Sequence, residues 1–440
     1  EEHLVVDYLV YLGSPALWTD AGYSCNGTQD NETQWCPSRY FGRVPVGTEN
    51  MSVPVDTALG EDSHFFVYTR SSLVEQTTPV AHLIVDVGAN VLNISFEGKD
   101  LDMHDLGGVL SWEPPRSMLR VESYYVYLAL AASGLGRQQI EPMLLAGDND
   151  IDVPAETPRG NFTHFVVYTA SSLAEQTTPS FSAIQDEASR ASNVTFVDED
   201  LDAEEIGGPL AWLEPEDLSE VTHYQVYLAE SRQGVNRSYL GNVSVGTNNF
   251  DVPVDTPLSS FTHLVIFARS TLAEQTTPAA VRIIETVASI SGLGFVDQDL
   301  DEAELGGYLR WDPPAFAELV QSYVAYLAMD PVGGGRWRTG ESAVGTNQVV
   351  LPADTALGNF THFLVYAQSA LAEQTTPVAV ALRDSFGLVQ NISFPDLDLD
   401  EGDLGGNVTW LPPVNDSLVT SYSIFFADSY PCKACMESAV

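Results

Sequence analysis

The chain has 440 residues, 44% of them hydrophobic and 10% aromatic, enough to build cores for about three or four ordinary domains. Its 61 acidic residues face only 18 basic ones, a formal net charge of -43. Such a field repels polyanions, which excludes nucleic-acid backbone or anionic-membrane binding as the main activity and leaves cation binding, an extracellular or salty setting, or simple solubility.

In chain order, the first element is the alternating stretch "VVDYLVYLG", in which Tyr8, Val10 and Leu12 share one face of a strand. The chain begins "EEHLVVDYLVYLG" with neither Met nor a signal-peptide pattern, as a processed product or a fragment would, and no apolar run approaches the roughly 18 residues of a membrane span. Further on comes "SHFFVYTRSSLVEQTTP" from Ser63, and this phrase returns from Phe162, Phe261 and Phe360. The Glu of "EQTTP" falls at Glu75, Glu175, Glu274 and Glu373, in steps of 100, 99 and 99 residues. That spacing suits a whole domain and is too long for a solenoid repeat.

Within one period the order is fixed: "NISF" or "NVTF", an acidic loop ending in Gly-Gly, a strand ending in Trp ("VLSWEPP", "YLRWDPP", "VTWLPP"), then "VESYYVYLAL" or its kin, then "VGTNNFDVPVDTPL" and the opening phrase. Each segment is short, rich in β-branched and aromatic residues, and bounded by Gly, Pro, Asn or Asp; none carries a 3.6-residue apolar period. The expectation is all-β, about seven strands per period, hence β-sandwiches. The predicted units are 1–88 (strands C to G only), 89–188, 189–287, 288–386, and 387–440 (strands A to C only). Connections as short as "VGANVL", Val87 to Leu92, suggest a semi-rigid rod.

The pattern W-x-P-P, then S-Y-x-V-Y-L, then F-T-H-F-x-V-Y resembles the fibronectin type III family over nearly the whole chain. The resemblance implies a linear array of immunoglobulin-like, fibronectin type III-like β-sandwiches, about 99–100 residues per repeat. Trp112, Trp212, Trp311 and Trp410 match the family's strand B Trp, and Tyr124, Tyr224 and Tyr323 its strand C Tyr. Phe65, Phe165, Leu264 and Phe363 stand where the family has the strand F Tyr, so the hydroxyl of a tyrosine corner is missing; an immunoglobulin-like variant stays open.

Fold alone gives no function, so the sites have to be weighed separately. Acids recur at fixed spacing after the Phe: Asp198, Asp200, Asp202 and Glu205; Asp297, Asp299, Asp301 and Glu304; Asp396, Asp398, Asp400 and Asp403. Alternate carboxylates on an extended loop suit a hard cation, and Ca2+ takes six to eight oxygens. The spacing is not that of an EF-hand, the first copy is degraded to Asp100, Asp102 and Asp105 beside Lys99, and a solvated acidic turn is the competing reading. Ca2+ is thus the one candidate ligand, and no motif requires a cofactor. His64, His164, His263 and His362 recur once per period, too far apart to share a metal; with no third orienting group beside them, no catalytic residue is assigned.

Twelve Asn-x-Ser/Thr sequons are present among seventeen Asn: Asn26, Asn31, Asn50, Asn93, Asn161, Asn193, Asn236, Asn242, Asn359, Asn391, Asn407 and Asn415. Chance would give about two or three, so the excess points to covalent N-glycans and an extracellular, secreted or cell-surface location. There Cys25, Cys36, Cys432 and Cys435 should be oxidised, with three possible pairings. Alternation also turns Tyr127 and Tyr168 outward as neighbours, and likewise Tyr227 with Phe267 and Tyr326 with Tyr366. A sheet apolar on both faces calls for a cover, whether a packing partner or a glycan.

The function this implies is structural: a subunit of an extracellular glycosylated filament that associates with itself head to tail, the strands of 387–440 completing residues 1–88 of a neighbouring copy. Nucleic acid and membrane insertion are not among the expected partners. The rivals are an adhesive or receptor ectodomain of a larger surface protein and the non-catalytic region of an extracellular carbohydrate-active enzyme.

Overall fold

In the computed structural model, residues 4–15, 35–186 and 188–426 are described, without the side chains of residues 15 and 35–38. The described residues contain strands and turns, and no helix among them is long and apolar enough to cross a membrane. The chain divides into two compact units, Glu1–Glu187 and Ala188–Val440.

The first unit opens with β1 (Val5–Pro15), β2 (Trp35–Pro45), β3 (His64–Ser71) and β4 (Val80–Leu83), an antiparallel sheet in the order β2-β1-β3-β4. A complete sandwich follows. Its strands are β5 (Leu92–Gly98), β6 (Asp105–Glu113), β7 (Ser123–Ala129), β8 (Gln138–Gln139), β9 (Leu144–Leu145), β10 (Asp150–Pro158), β11 (His164–Ala170) and β12 (Ser180–Ala183). One sheet runs β10-β6-β5; the other runs β12-β11-β7-β8, with β9 also on β7.

The second unit repeats this plan twice. First come β13 (Ser192–Phe196), β14 (Glu205–Leu213), β15 (His223–Ala229), β16 (Ser238–Ser244), β17 (Asn249–Pro257), β18 (His263–Arg269) and β19 (Ala279–Arg282). Then come β20 (Ser291–Asp297), β21 (Glu304–Asp312), β22 (Ser322–Ala328), β23 (Trp337–Ala343), β24 (Gln348–Ala356), β25 (His362–Gln368) and β26 (Val378–Ala381). The sheet orders β13-β14-β17 with β16-β15-β18-β19, and β20-β21-β24 with β23-β22-β25-β26, match the first sandwich. A two-stranded sheet, β27 (Gln390–Ser393) with β28 (Thr409–Leu411), ends the described chain.

Period-two alternation sets the cores. In β7, Tyr124, Val126 and Leu128 point inward and meet Trp112 from the opposite sheet, ring centroids 5.6 Å apart; Trp212–Tyr224 and Trp311–Tyr323 repeat the edge-on contact at 5.4 and 5.5 Å. Phe165 and Phe363, without a hydroxyl, lie fully inside, where an unpartnered polar atom would cost free energy.

A left-handed residue starts the first strand of each repeat. Asn93, Asn193 and Asn391 have φ of 48°, 48° and 51°, each at a register shift, and Gly292 (φ 61°) stands there in the repeat that lacks the sequon. Asn and Gly are the residues that tolerate this conformation, so part of the sequon pattern answers a backbone demand.

Candidate functional site

The acidic loops are first of all backbone caps. The Asp198 carboxylate accepts from the N–H groups of Asp200 (3.3 Å), Gly207 (3.1 Å) and Thr286 (2.7 Å), the last in the connection leaving the repeat. Asp297 does the same with Asp299, Gly306 and Ser385, at 3.1, 3.0 and 2.9 Å. Asp396 accepts from Asp398 and Gly405, both at 3.0 Å. The carboxylate therefore both shapes its own turn and fixes the outgoing chain. Burial pushes Asp198 up to about 6 despite these three donors.

A further acid in three of these loops reaches the third strand of its own sheet. Asp100, Asp200 and Asp299 accept from the N–H of Glu156 (2.8 Å), Asp255 (2.8 Å) and Asp354 (2.7 Å). Those three residues sit at φ of 59°, 56° and 58°, and Asp56 has 57° in a part of the chain with no acidic loop among the described residues, so the turn belongs to the segment itself and the bond joins it to the loop. Their own carboxylates thereby join the loop's.

Carboxylate oxygens of Asp200, Asp202, Glu205 and Asp255 lie within 4.8 Å of one another, as do those of Asp299, Asp301, Glu304 and Asp354, and of Asp100, Asp102 and Glu156. Of the residues expected to converge, Asp198 and Asp297 stay apart as caps. Asp396, Asp398, Asp400 and Asp403 form no such group among the described residues, and Asp105 is outside the first one. The sequence reading missed Glu156, Asp255 and Asp354, although an acid recurs at 56, 156, 255 and 354 in every "P-x-D/E-T" phrase. Burial and then the neighbouring acids raise Glu205, Asp255 and Glu304 above the usual carboxyl range. A set of oxygens that repel one another is chemically suited to a hard cation.

The outward aromatics are covered by the chain itself. Tyr127 and Tyr168 pack edge-on at 5.6 Å, and the Arg137 guanidinium lies over both rings, 4.4 and 4.3 Å from their centroids. Arg137 pairs with Glu175 at 2.7 Å, and the Tyr127 hydroxyl donates to the other oxygen of Glu175 at 2.8 Å. Burial and that bond push Tyr127 up to about 12. Arg237 covers Tyr227 and Phe267 and pairs with Glu274; Arg336 covers Tyr326 and Tyr366 and pairs with Glu373. The Glu of "EQTTP" thus closes a clamp built once per complete repeat, and Tyr168, Phe267 and Tyr366 are buried in it. Close approach explains Gly134, where a Cβ would stand 1.9 Å from the Tyr168 hydroxyl at a φ of 80°.

All ten sequon Asn in the described residues are solvent-exposed: Asn50, Asn93, Asn161, Asn193, Asn236, Asn242, Asn359, Asn391, Asn407 and Asn415. Asn26 and Asn31 lie outside the described residues, as do Cys25, Cys432 and Cys435. Cys36 is placed only by its backbone, opposite Ser14 on β1. Enzymatic deglycosylation of native material should remove about one to two kilodaltons per occupied site, a loss read by intact-mass analysis. An unchanged mass would show the sequons to be unoccupied, leaving Asn93, Asn193 and Asn391 with a backbone role alone.

Each complete repeat pairs a three-stranded sheet with a sheet of four main strands in the order of a fibronectin type III sandwich. The chain is an array of fibronectin type III-like β-sandwiches. No family model matches it, and no curated protein matches it. Among solved structures, the FN1–FN3 domains of chicken CNTN1 align at 13% identity and a TM-score of 0.22, over 68% of this chain and 100% of that one. The central fibronectin-III array of RIM-binding protein aligns at 14% identity and 0.16, over 68% and 98%. Strand order and the Trp–Tyr core define the fold.

Proposed function

We propose that the chain is the structural subunit of an extracellular, N-glycosylated filament in which successive copies share one β-sandwich. The observation that carries this reading is an open core. Tyr8, Val10, Phe65 and Val67 correspond to Tyr124, Val126, Phe165 and Val167, which are buried in the complete repeat. In the first sheet they line a cavity of about 510 Å³, together with Phe41, Val44, Met51 and Val53. No second sheet faces them among the described residues.

The matching half lies at the other end. β27 and β28 correspond to β5 and β6, and Leu404 is 61% exposed where Leu106, Ile206 and Leu305 are buried. Trp410 has no second sheet to face among the described residues and packs on Tyr422 at 5.3 Å. Residues 387–418 of one copy and β1–β4 of the next together supply the strands of one sandwich. In it Tyr8 takes the place on Trp410 that Tyr422 holds in the separate chain. The segment Met51–Thr57, not a strand in this chain, gains β28 as its partner, as β10 has β6. Pairing an open edge and covering an apolar face is the driving force. The contact is heterologous and does not close, so it propagates. Exposed sequons and four Cys, all in the two incomplete parts, suit an oxidising exterior, with disulfides across the junction.

Deleting residues 387–440 should abolish polymers seen by negative-stain microscopy, whereas removing only 420–440 should leave them, held without covalent links. Full chains that stay monomeric at every concentration, or polymers that survive the longer deletion, would sink the reading.

A further inference from the structure

The junction between repeats 189–287 and 288–386 lies inside one compact unit and shows how one repeat grips the next. Leu201, at the tip of an acidic loop, is buried in the following repeat's core beside Ala288, Leu305 and Trp311. Its neighbour Asp202 accepts from the N–H groups of Thr375 (2.7 Å) and Thr376 (2.9 Å). Gln374 donates through Nε2 to the Leu201 carbonyl at 2.7 Å. Leu371 packs on Gly207, its Cδ2 only 3.2 Å from where a Cβ would be. The clasp is therefore a Leu-Asp tip with a bare Gly on one side, and the Leu-x-x-Gln-Thr-Thr loop on the other.

Both halves of this clasp recur open. Asp301, the counterpart of buried Asp202, is exposed, and Leu399, the counterpart of Leu201, is 97% exposed. On the other side, Leu73 and Leu173 are 90% and 71% exposed against 39% for docked Leu371. Gln76 is exposed where Gln374 is buried. Among the described residues two open tips and two loops of one design remain; the Gln76 loop is exposed, and in the other the Gln176 amide rests on Asn90 at 3.2 Å and would exchange that partner for the tip.

We infer that they close between copies: the Asp301 tip takes the Gln76–Thr78 loop of the next copy, and the Asp400 tip takes its Gln176–Thr178 loop. This rests on the shared-sandwich reading, because only a sandwich made from 387–418 and β1–β4 sets these tips and loops one repeat apart, as Asp202 and Thr376 are. The partner is a second copy of this chain, and the clasp fixes the angle at which copies follow one another. A carboxylate that caps two backbone N–H groups is a strong, directional acceptor.

The test mixes two full-length variants, Asp301→Cys in isotopically heavy chains and Thr78→Cys in light ones. Assembled material is oxidised, and its cross-links are mapped by mass spectrometry. A heavy–light disulfide between 301 and 78 is the expected result, with Asp202→Cys/Thr376→Cys within one chain as the positive control. Asp301→Ala should speed polymer dissociation about tenfold or more, the loss of about one charge-assisted bond, while Glu302→Ala leaves it unchanged. Polymers that assemble without the 301–78 link, with the control linked, overturn the clasp and leave the shared sandwich standing. A chain that neither polymerises nor cross-links overturns both.

Discussion

Trp311→Ala lowers the stability of its repeat by about 3–5 kcal/mol, the cost of emptying a large aromatic from a close-packed core. Trp311 is buried among Leu309, Val320 and Tyr323, and the facing ring at 5.5 Å has nothing to replace it. The loss is a large part of the roughly 5–15 kcal/mol that holds a domain together. Trp311→Phe should cost far less, because the indole Nε1 is buried without a hydrogen-bond partner, and the smaller ring removes that unsatisfied donor. On the outer face, Arg336→Ala should cost about 1–2 kcal/mol. It uncovers the Tyr326 and Tyr366 rings and leaves Glu373 without its 3.1 Å ion pair. Hydrogen exchange of peptides from β22 and β25 reads both variants locally, so the other repeats do not mask the change. An Arg336→Ala loss as large as that of Trp311→Ala would mean that the outer clamp, rather than the sandwich interior, is the main source of stability.

What the sequence made legible follows from period and repetition. Alternation placed Tyr124, Val126 and Phe165 inside and paired Tyr127 with Tyr168 outside, and the structure has them so. The cover was not read, because the covering Arg comes from an irregular turn with no period. Its trace was nonetheless present as Gly-x-x-Arg at 134–137, 234–237 and 333–336, where Gly is needed to clear the aromatic ring. The acidic loops were found by local spacing, which could not show that Asp198 caps Thr286, 88 residues away, or that Asp255 joins Asp200 from the paired strand of the same sheet. Local spacing registers which side chains lie on one loop. It is blind to what strand pairing brings to that loop, and here strand pairing supplies the fourth acid. The clasp between repeats was hidden for the same reason: Asp202 and Thr376 are 174 residues apart.

The remaining prediction concerns the acids as a titrating set. A carboxyl group raised by folding binds its proton more tightly in the native state than in the unfolded chain. Its ionisation therefore opposes folding fully above the raised value and not at all below the ordinary value, near about 4. Asp198, pushed up to about 6 by burial, sets the upper edge of this window, and Glu205, Asp255 and Glu304 are shifted in the same direction. The carboxylates shifted the other way, Asp217, Glu230 and Asp330, act only at and below the ordinary value, where acid removes the stability they contribute. Through these carboxyls acidification from pH 8 to about pH 5 raises the melting temperature, and further acidification reverses the gain. His263 has the opposite effect, since burial lowers its pKa and its protonation costs stability. A divalent cation relieves the same repulsion without a proton, so we expect millimolar Ca2+ to stabilise the chain more at pH 8 than at pH 5, beyond matched NaCl. Asp255→Asn with Asp354→Asn removes one acid from each four-carboxylate group, and should raise the melting temperature at pH 8 while erasing most of the Ca2+ response. The Asp198 caps are untouched by that change, so Asp198→Ala, which strands three N–H groups, should destabilise with or without Ca2+. If calorimetry finds Ca2+ no better than NaCl at equal ionic strength, the loops are backbone caps and nothing more.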